Sequence, residues 1–96
     1  MIKIESNYFT KRSAINMSVV HFEKDDNEWN YIDELYIYSD KNQEQQINDF
    51  IRNSSKVVSN LIEVEPNIFA SDTDMFKIKN SKKHFLINNG KVVSHA

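Results

Sequence analysis

The chain has 96 residues, with twelve basic and fourteen acidic side chains, a formal net charge of −2 and no cysteine. That length suits one domain, residues 1–96, with little core to spare, and the missing cysteine removes disulfide frameworks, thiolate zinc sites and cysteine nucleophiles. The slightly acidic balance argues against generic polyanion binding and against wholesale imitation of DNA charge, and no apolar run approaches the roughly 20 residues that span a bilayer.

Residues 1–5, MIKIE, alternate apolar and charged side chains. A secretory leader would show a basic start and a continuous apolar stretch instead, so the sequence reads as a cytoplasmic protein with a candidate extra strand at its start. Asn and Lys are abundant while Gly and Pro occur once each, a bias that AT-rich coding produces, as in low-GC bacteria, their phages and mobile elements.

The stretches MSVVHFEK (17–24) and YIDELYIYS (31–39) are rich in β-branched and aromatic residues and flank the polar turn Asp25-Asp26-Asn27-Glu28, which predicts a hairpin. Alternation puts Trp29, Tyr31, Leu35 and Ile37 on one face of its second strand and Ile32, Tyr36 and Tyr38 on the other. Asp33 falls among the first set, which points to a β-bulge nearby.

Residues 41–65 place Ile47, Phe50, Ile51, Val57, Val58, Leu61 and Ile62 at steps of three, four and seven, one stripe of an amphipathic helix. Asn48, Asp49, Arg52, Asn53, Lys56 and Asn60 fall elsewhere on the wheel, mostly toward water. Asp40 is a good N-cap with Gln43 three residues on, as in a capping box, and Glu44 suits the positive end of the dipole. Pro66 blocks continuation, so the helix is predicted over residues 41–63. Beyond it, MFKIK (75–79) alternates cleanly, and FLIN and KVVS join through Asn89-Gly90, a type I′ hairpin signal that sets Ile87 against Val92 and Phe85 against Ser94. The fold class is therefore α+β: one antiparallel sheet in β-β-α-β-β-β order, with the N-terminal segment as an extra candidate strand, and one long amphipathic helix on one face.

Three clusters are candidates for function. Trp29, Tyr31, Tyr36 and Tyr38, with the turn residues Asp25, Asp26 and Glu28, offer an aromatic and acidic strand of the kind that docks on proteins; cover by the N-terminal segment or by a second copy would equally explain apolar groups on both faces. Residues 23–50 carry nine acidic against two basic side chains, a distribution that orients partners, although turns and first helical turns are commonly acidic. Residues 75–96 carry Lys77, Lys79, Lys82, Lys83 and Lys91 and no acidic residue. Such a ribbon can sit on phosphates, but it has no arginine for bidentate base reading, and lysines also guard strand edges.

Catalysis has little support. His21 reads as a surface strand residue and His95 lies next to the C-terminus. Asp72-Thr73-Asp74 lacks the glycine and later glutamate of a calcium loop and reads as a turn. One glycine leaves no phosphate-cradling loop. The expectation is a non-enzymatic protein-binding module of inhibitor, immunity or adaptor type, without cofactor or metal, whose partner is a larger host or phage protein. Nucleic-acid binding through the five lysines is the alternative, and a homodimer through an exposed strand is a further one.

Overall fold

A computed structural model describes residues 17–54 and 60–95. Among them are strands β1 (Met17–Asp25) and β2 (Glu28–Ile37), helix α1 (Gln43–Ser54), and strands β3 (Ile62–Glu65), β4 (Ile68–Ala70), β5 (Asp74–Lys79), β6 (His84–Asn88) and β7 (Lys91–His95). The fold is α+β. Five strands form an antiparallel sheet in the order β2-β1-β5-β4-β3, and β6 and β7 form a separate two-stranded sheet. No helix among the described residues is long and apolar enough to cross a membrane. The candidate strand at residues 1–5 lies outside the described residues.

Three two-residue turns set three of the hairpins. Asp26 and Asn27 have φ of 53° and 67°, and Asn89 and Gly90 have 54° and 77°, the consecutive left-handed pair that a type I′ turn requires. Both hairpins read from the sequence are present, and Ile87 pairs with Val92 and Phe85 with Ser94 as expected. The third turn is Pro66-Asn67, with Asn67 at φ 65°. Proline presets the first turn position and asparagine tolerates the left-handed second.

That third turn corrects the reading of the helix. The helix is described over Gln43–Ser54, Val57 and Val58 lie outside the described residues, and Ile62 is not on a helical stripe but in β3, 63% exposed. Residues 62–65 read Ile-Glu-Val-Glu, a period of two inside what looked like a period of 3.6. Pairing with β4 outweighs the local helical pattern. Pro66 closes a hairpin rather than stopping a helix. The inserted β3–β4 hairpin also explains why the predicted single sheet divides: β5 has β1 on one side and β4 on the other, so β6 finds no open edge there.

The helix start differs as well. Gln43 does not act in a capping box with Asp40. Its Nε2 donates to the Ser39 carbonyl at 2.8 Å, which ties the helix to the exit of β2. The Asn42 carbonyl accepts the first helical N–H, from Gln46, at 3.0 Å.

The first half of the apolar stripe behaves as the sequence suggests. Ile47 and Ile51 are fully buried against Met17, Val19, Ile37, Phe69, Phe76, Phe85 and Val92. Each such side chain contributes roughly 1.5–3 kcal/mol of hydrophobic stabilisation. Phe76 sits at the centre, with the Phe50 ring edge-on at 6.1 Å.

Asn48, expected toward water, instead acts as a substitute strand. Its Oδ1 accepts the Val92 N–H and its Nδ2 donates to the Val92 carbonyl, both at 2.9 Å. One turn earlier, Glu44 Oε2 accepts the Ser94 N–H at 2.8 Å and also the Ser94 hydroxyl. The outer edge of β7 is thus satisfied by a helix, which removes an aggregation-prone strand edge. Asn67 does similar work on β6: its Oδ1 accepts the Phe85 N–H at 2.7 Å and its Nδ2 donates to the Lys83 carbonyl at 3.1 Å.

Two outcomes follow from this clasp. Asn48→Ala leaves the Val92 amide and carbonyl without these partners and should cost about 1–3 kcal/mol in urea unfolding. The Ser94 hydroxyl and amide, aided by the Lys83 charge, hold the Glu44 carboxyl below the usual carboxylate range. The folded carboxylate therefore binds its proton less tightly than the unfolded one. Its stabilising contribution is fully present above the unfolded value of about 4.3 and is lost as pH falls through the lower folded value. Glu44→Gln should flatten the acid limb of stability against pH, measured by denaturant midpoints across that range.

Candidate protein-docking face

Among the described residues β2 is an edge strand of the five-stranded sheet, and its pairing with β1 slips once. His21 pairs with Asp33, and Phe22 pairs with Tyr31. Ile32 is the extra residue, a β-bulge one position from the Asp33 that signalled it. Side chains alternate strictly along a strand, so one inserted residue reverses the faces beyond it.

That slip corrects the sequence-based assignment of faces. Ile37 and Leu35 point to the helix-covered side, opposite Met17 and Val19. Tyr31 and Trp29 do not join them. Tyr31 pairs with Phe22 and Trp29 with Lys24, on the side where Tyr36 pairs with Ser18 and Glu34 with Val20. The contacts agree with the register. Tyr36 and Tyr31 both donate to Glu34 Oε1, at 3.1 and 3.4 Å. Phe22 meets the Tyr31 ring edge-on at 6.4 Å, and Lys24 Nζ lies 5.4 Å from the Trp29 ring centroid, within cation–π range. Tyr38 lies one residue past β2. Tyr31 is 59%, Tyr36 48% and Tyr38 58% exposed.

The ladder extends this face across the sheet. Tyr36, Ser18 and Lys79 form one transverse row, Glu34, Val20, Lys77 and Ile68 a second, and Tyr31, Phe22, Met75 and Ala70 a third. Ser18 and Val20 are buried floor, while Lys77 and Lys79 are exposed. The aromatic and acidic rim on β2 and the basic rim on β5 stand two strand spacings apart, roughly 10 Å, with the buried Ser18 and Val20 between them. Asp25, Asp26 and Glu28 extend the acidic rim as exposed groups at the β1–β2 turn.

The five lysines do not form one patch. Lys77 and Lys79 lie on a central strand, so they guard no edge. Lys82 and Lys83 are exposed in the β5–β6 loop and Lys91 at the β6–β7 turn, which puts Lys83 and Lys91 at opposite ends of that hairpin. Lys83 lines an open recess of about 360 Å³ with Asp40, Glu44, Phe85 and Ser94 at the helix start.

His21 is not a surface residue: it is 2% exposed. Alternation with Val20 and Phe22 was a sound guide to its face, but it said nothing about which face carried the cover. The shared outer face of the four aromatic residues was legible only through the out-of-phase Asp33. The three rows needed the strand order, which no local pattern in the sequence specifies.

Comparison with protein-family models, with curated proteins and with solved structures finds no match to this chain.

The bond to Glu34, followed by the charge of that carboxylate, raises the Tyr36 pKa above the ordinary tyrosine value, because a phenol that donates to a carboxylate is favoured in its neutral form. Alkaline absorbance titration should show a tyrosine ionising late, and Glu34→Gln should bring that transition back toward about 10.

Proposed function

We propose that this chain is a small, non-enzymatic, cytoplasmic protein-binding module of inhibitor, immunity or adaptor type. It docks on a larger host or phage protein through the outer face of its sheet. The observation that carries this reading is the gathering of Tyr31 and Tyr36 around Glu34, with Trp29 further along the same side of the strand. Tyrosine and tryptophan supply large contact area with few torsions to freeze and a polar tip that tolerates a wet rim. Opposed acidic and basic rims fix the orientation of a partner and speed its encounter. The matching surface presents cations toward β2 and carboxylates toward Lys77 and Lys79.

The alternative is nucleic-acid binding. Lys77 and Lys79 share a face with aromatic rings, and that combination serves single strands. Glu34 and the turn carboxylates oppose it by repelling phosphate, and Lys82, Lys83 and Lys91 point to other parts of the surface.

Affinity capture from the native host should recover one stoichiometric partner. Trp29→Ala and Tyr36→Ala should each weaken it by about 2 kcal/mol, roughly 30-fold, with unchanged circular dichroism. Folded variants that still capture the partner at full strength would contradict the reading. Retention on heparin that falls steeply with salt and disappears in Lys82→Glu/Lys83→Glu would favour the alternative, and a dimeric mass in light scattering would favour self-association.

A further inference from the structure

Asp74 lies 53 residues from His21, and with Glu23 the three match no metal-binding spacing. The β1–β5 ladder nevertheless brings them to one face of the sheet. Glu23 stands directly opposite Asp74, and His21 is two residues from Glu23 on the same side, opposite Phe76. One ligand-type atom from each of the three lies within 4.8 Å of the other two.

Two of the three are held in place. The His21 ring stacks on Phe76 with centroids 4.6 Å apart and planes 9° from parallel, and its Nε2 lies 2.8 Å from Asp74 Oδ1. Asp74 is fixed by the turn before β5. Its Oδ2 accepts the Thr73 hydroxyl at 2.8 Å, its N–H donates to Ser71 Oγ at 3.1 Å, and its carbonyl accepts the Ser71 N–H at 2.8 Å. The turn is in turn pinned to β1 by the Lys24 N–H on the Thr73 carbonyl at 2.9 Å. Surroundings that fix the aim of a ligand are a usual accompaniment of metal sites.

The electrostatics call for a cation. Like charges directly opposite across a ladder destabilise a sheet, and Glu23 and Asp74 are such a pair. Asp33 of β2 faces the same imidazole from the other side in register, with its Oδ1 engaged by the Glu34 N–H at 2.7 Å. Lys24, the adjacent cation on β1, turns to the opposite face and covers Trp29. Glu23 is exposed, which leaves an open approach and a side chain free to swing its oxygen inward.

We infer that His21, Glu23 and Asp74 form a binding site for a divalent transition metal such as Zn²⁺. Metal–ligand lengths of about 2.0–2.1 Å separate neighbouring ligand atoms of a tetrahedral ion by roughly 3.3 Å. A small movement of Glu23 and a slight opening of the histidine–aspartate contact reach that spacing. Coordination through Nε2 breaks the contact with Asp74 Oδ1 and takes the neutral imidazole with its single proton on Nδ1. One nitrogen with two carboxylates suits Zn²⁺ or its neighbours better than Ca²⁺ or Mg²⁺, which prefer all-oxygen shells. The bound ion would cross-link β1 to the β4–β5 turn on the helix-facing side of the sheet, away from the aromatic rim.

Calorimetric titration of the metal-free chain with Zn²⁺, paired with thermal melts, tests the site. The expected result is one ion per chain and a raised Tm, with affinity reduced about tenfold or more by Glu23→Gln and by Asp74→Asn. Glu23 is exposed, so its variant keeps the fold and remains decisive if Asp74→Asn does not. His84→Ala should leave binding intact; His84 pairs with Glu63 at 2.8 Å and offers the competing imidazole. Absence of binding by the intact chain, binding unaffected by Glu23→Gln, or binding lost in His84→Ala would each overturn the assignment. Equal or tighter binding of Ca²⁺ would overturn the choice of metal class.

Discussion

The pairing of β1 with β2 around one extra residue is the constraint on which the rest of the surface depends. β1 is covered on both sides from Met17 to His21, so its register is fixed by what it buries. Met17 and Val19 must face the helix with Ile37 and Leu35. A strand with period two allows no freedom after that, except by a bulge. The bulge at Ile32 uses that one exception. It lets the inner half of β2 serve the core and the outer half turn its largest rings away from it. Without the slip, Tyr31 and Trp29 would lie on the side of Leu35, and Glu34 would have one tyrosine partner instead of two.

The helix contributes in a less usual way. Ile47, Phe50 and Ile51 seat it on the sheet around Phe76. Its polar side then completes a second sheet. Asn48 and Glu44, one turn apart, meet Val92 and Ser94, two residues apart on β7, because a helical turn of 5.4 Å and a two-residue strand step of nearly 7 Å bring successive groups within reach. The β6–β7 ribbon, which has two strands and would be marginal alone, thereby becomes part of the same core through Phe85 and Val92. One side of the main sheet is consumed in this way, and the opposite side is where exposed aromatic and charged groups collect.

Much of this was legible in the sequence, and the failures have identifiable causes. Asp-Asn and Asn-Gly turns, being local and chemically strict, marked two hairpins and the register of one. Asp33 out of phase marked the bulge. The first half of the helix was legible from Ile47, Phe50 and Ile51. Its predicted last turn was misread because Leu61 and Ile62 satisfy both periods, and long-range pairing of Ile62–Glu65 with β4 decided between them. Asn48 and Asn67 look like solvent residues on any wheel or in any turn. Their side chains bond to segments 44 and 18 residues away, and no local pattern carries that information. The burial of His21 was hidden for the same reason, and the grouping of His21, Glu23 and Asp74 depends on a ladder between strands about fifty residues apart.

The most direct measurement of the central claim is the set of cross-strand nuclear Overhauser contacts along β1 and β2. The account expects Phe22 opposite Tyr31 while His21 stays opposite Asp33, with the Tyr31 and Tyr36 rings both close to the Glu34 side chain. A continuous ladder that sets Phe22 opposite Ile32 and turns the Tyr31 ring toward Leu35 would contradict it, and with it the shared aromatic face.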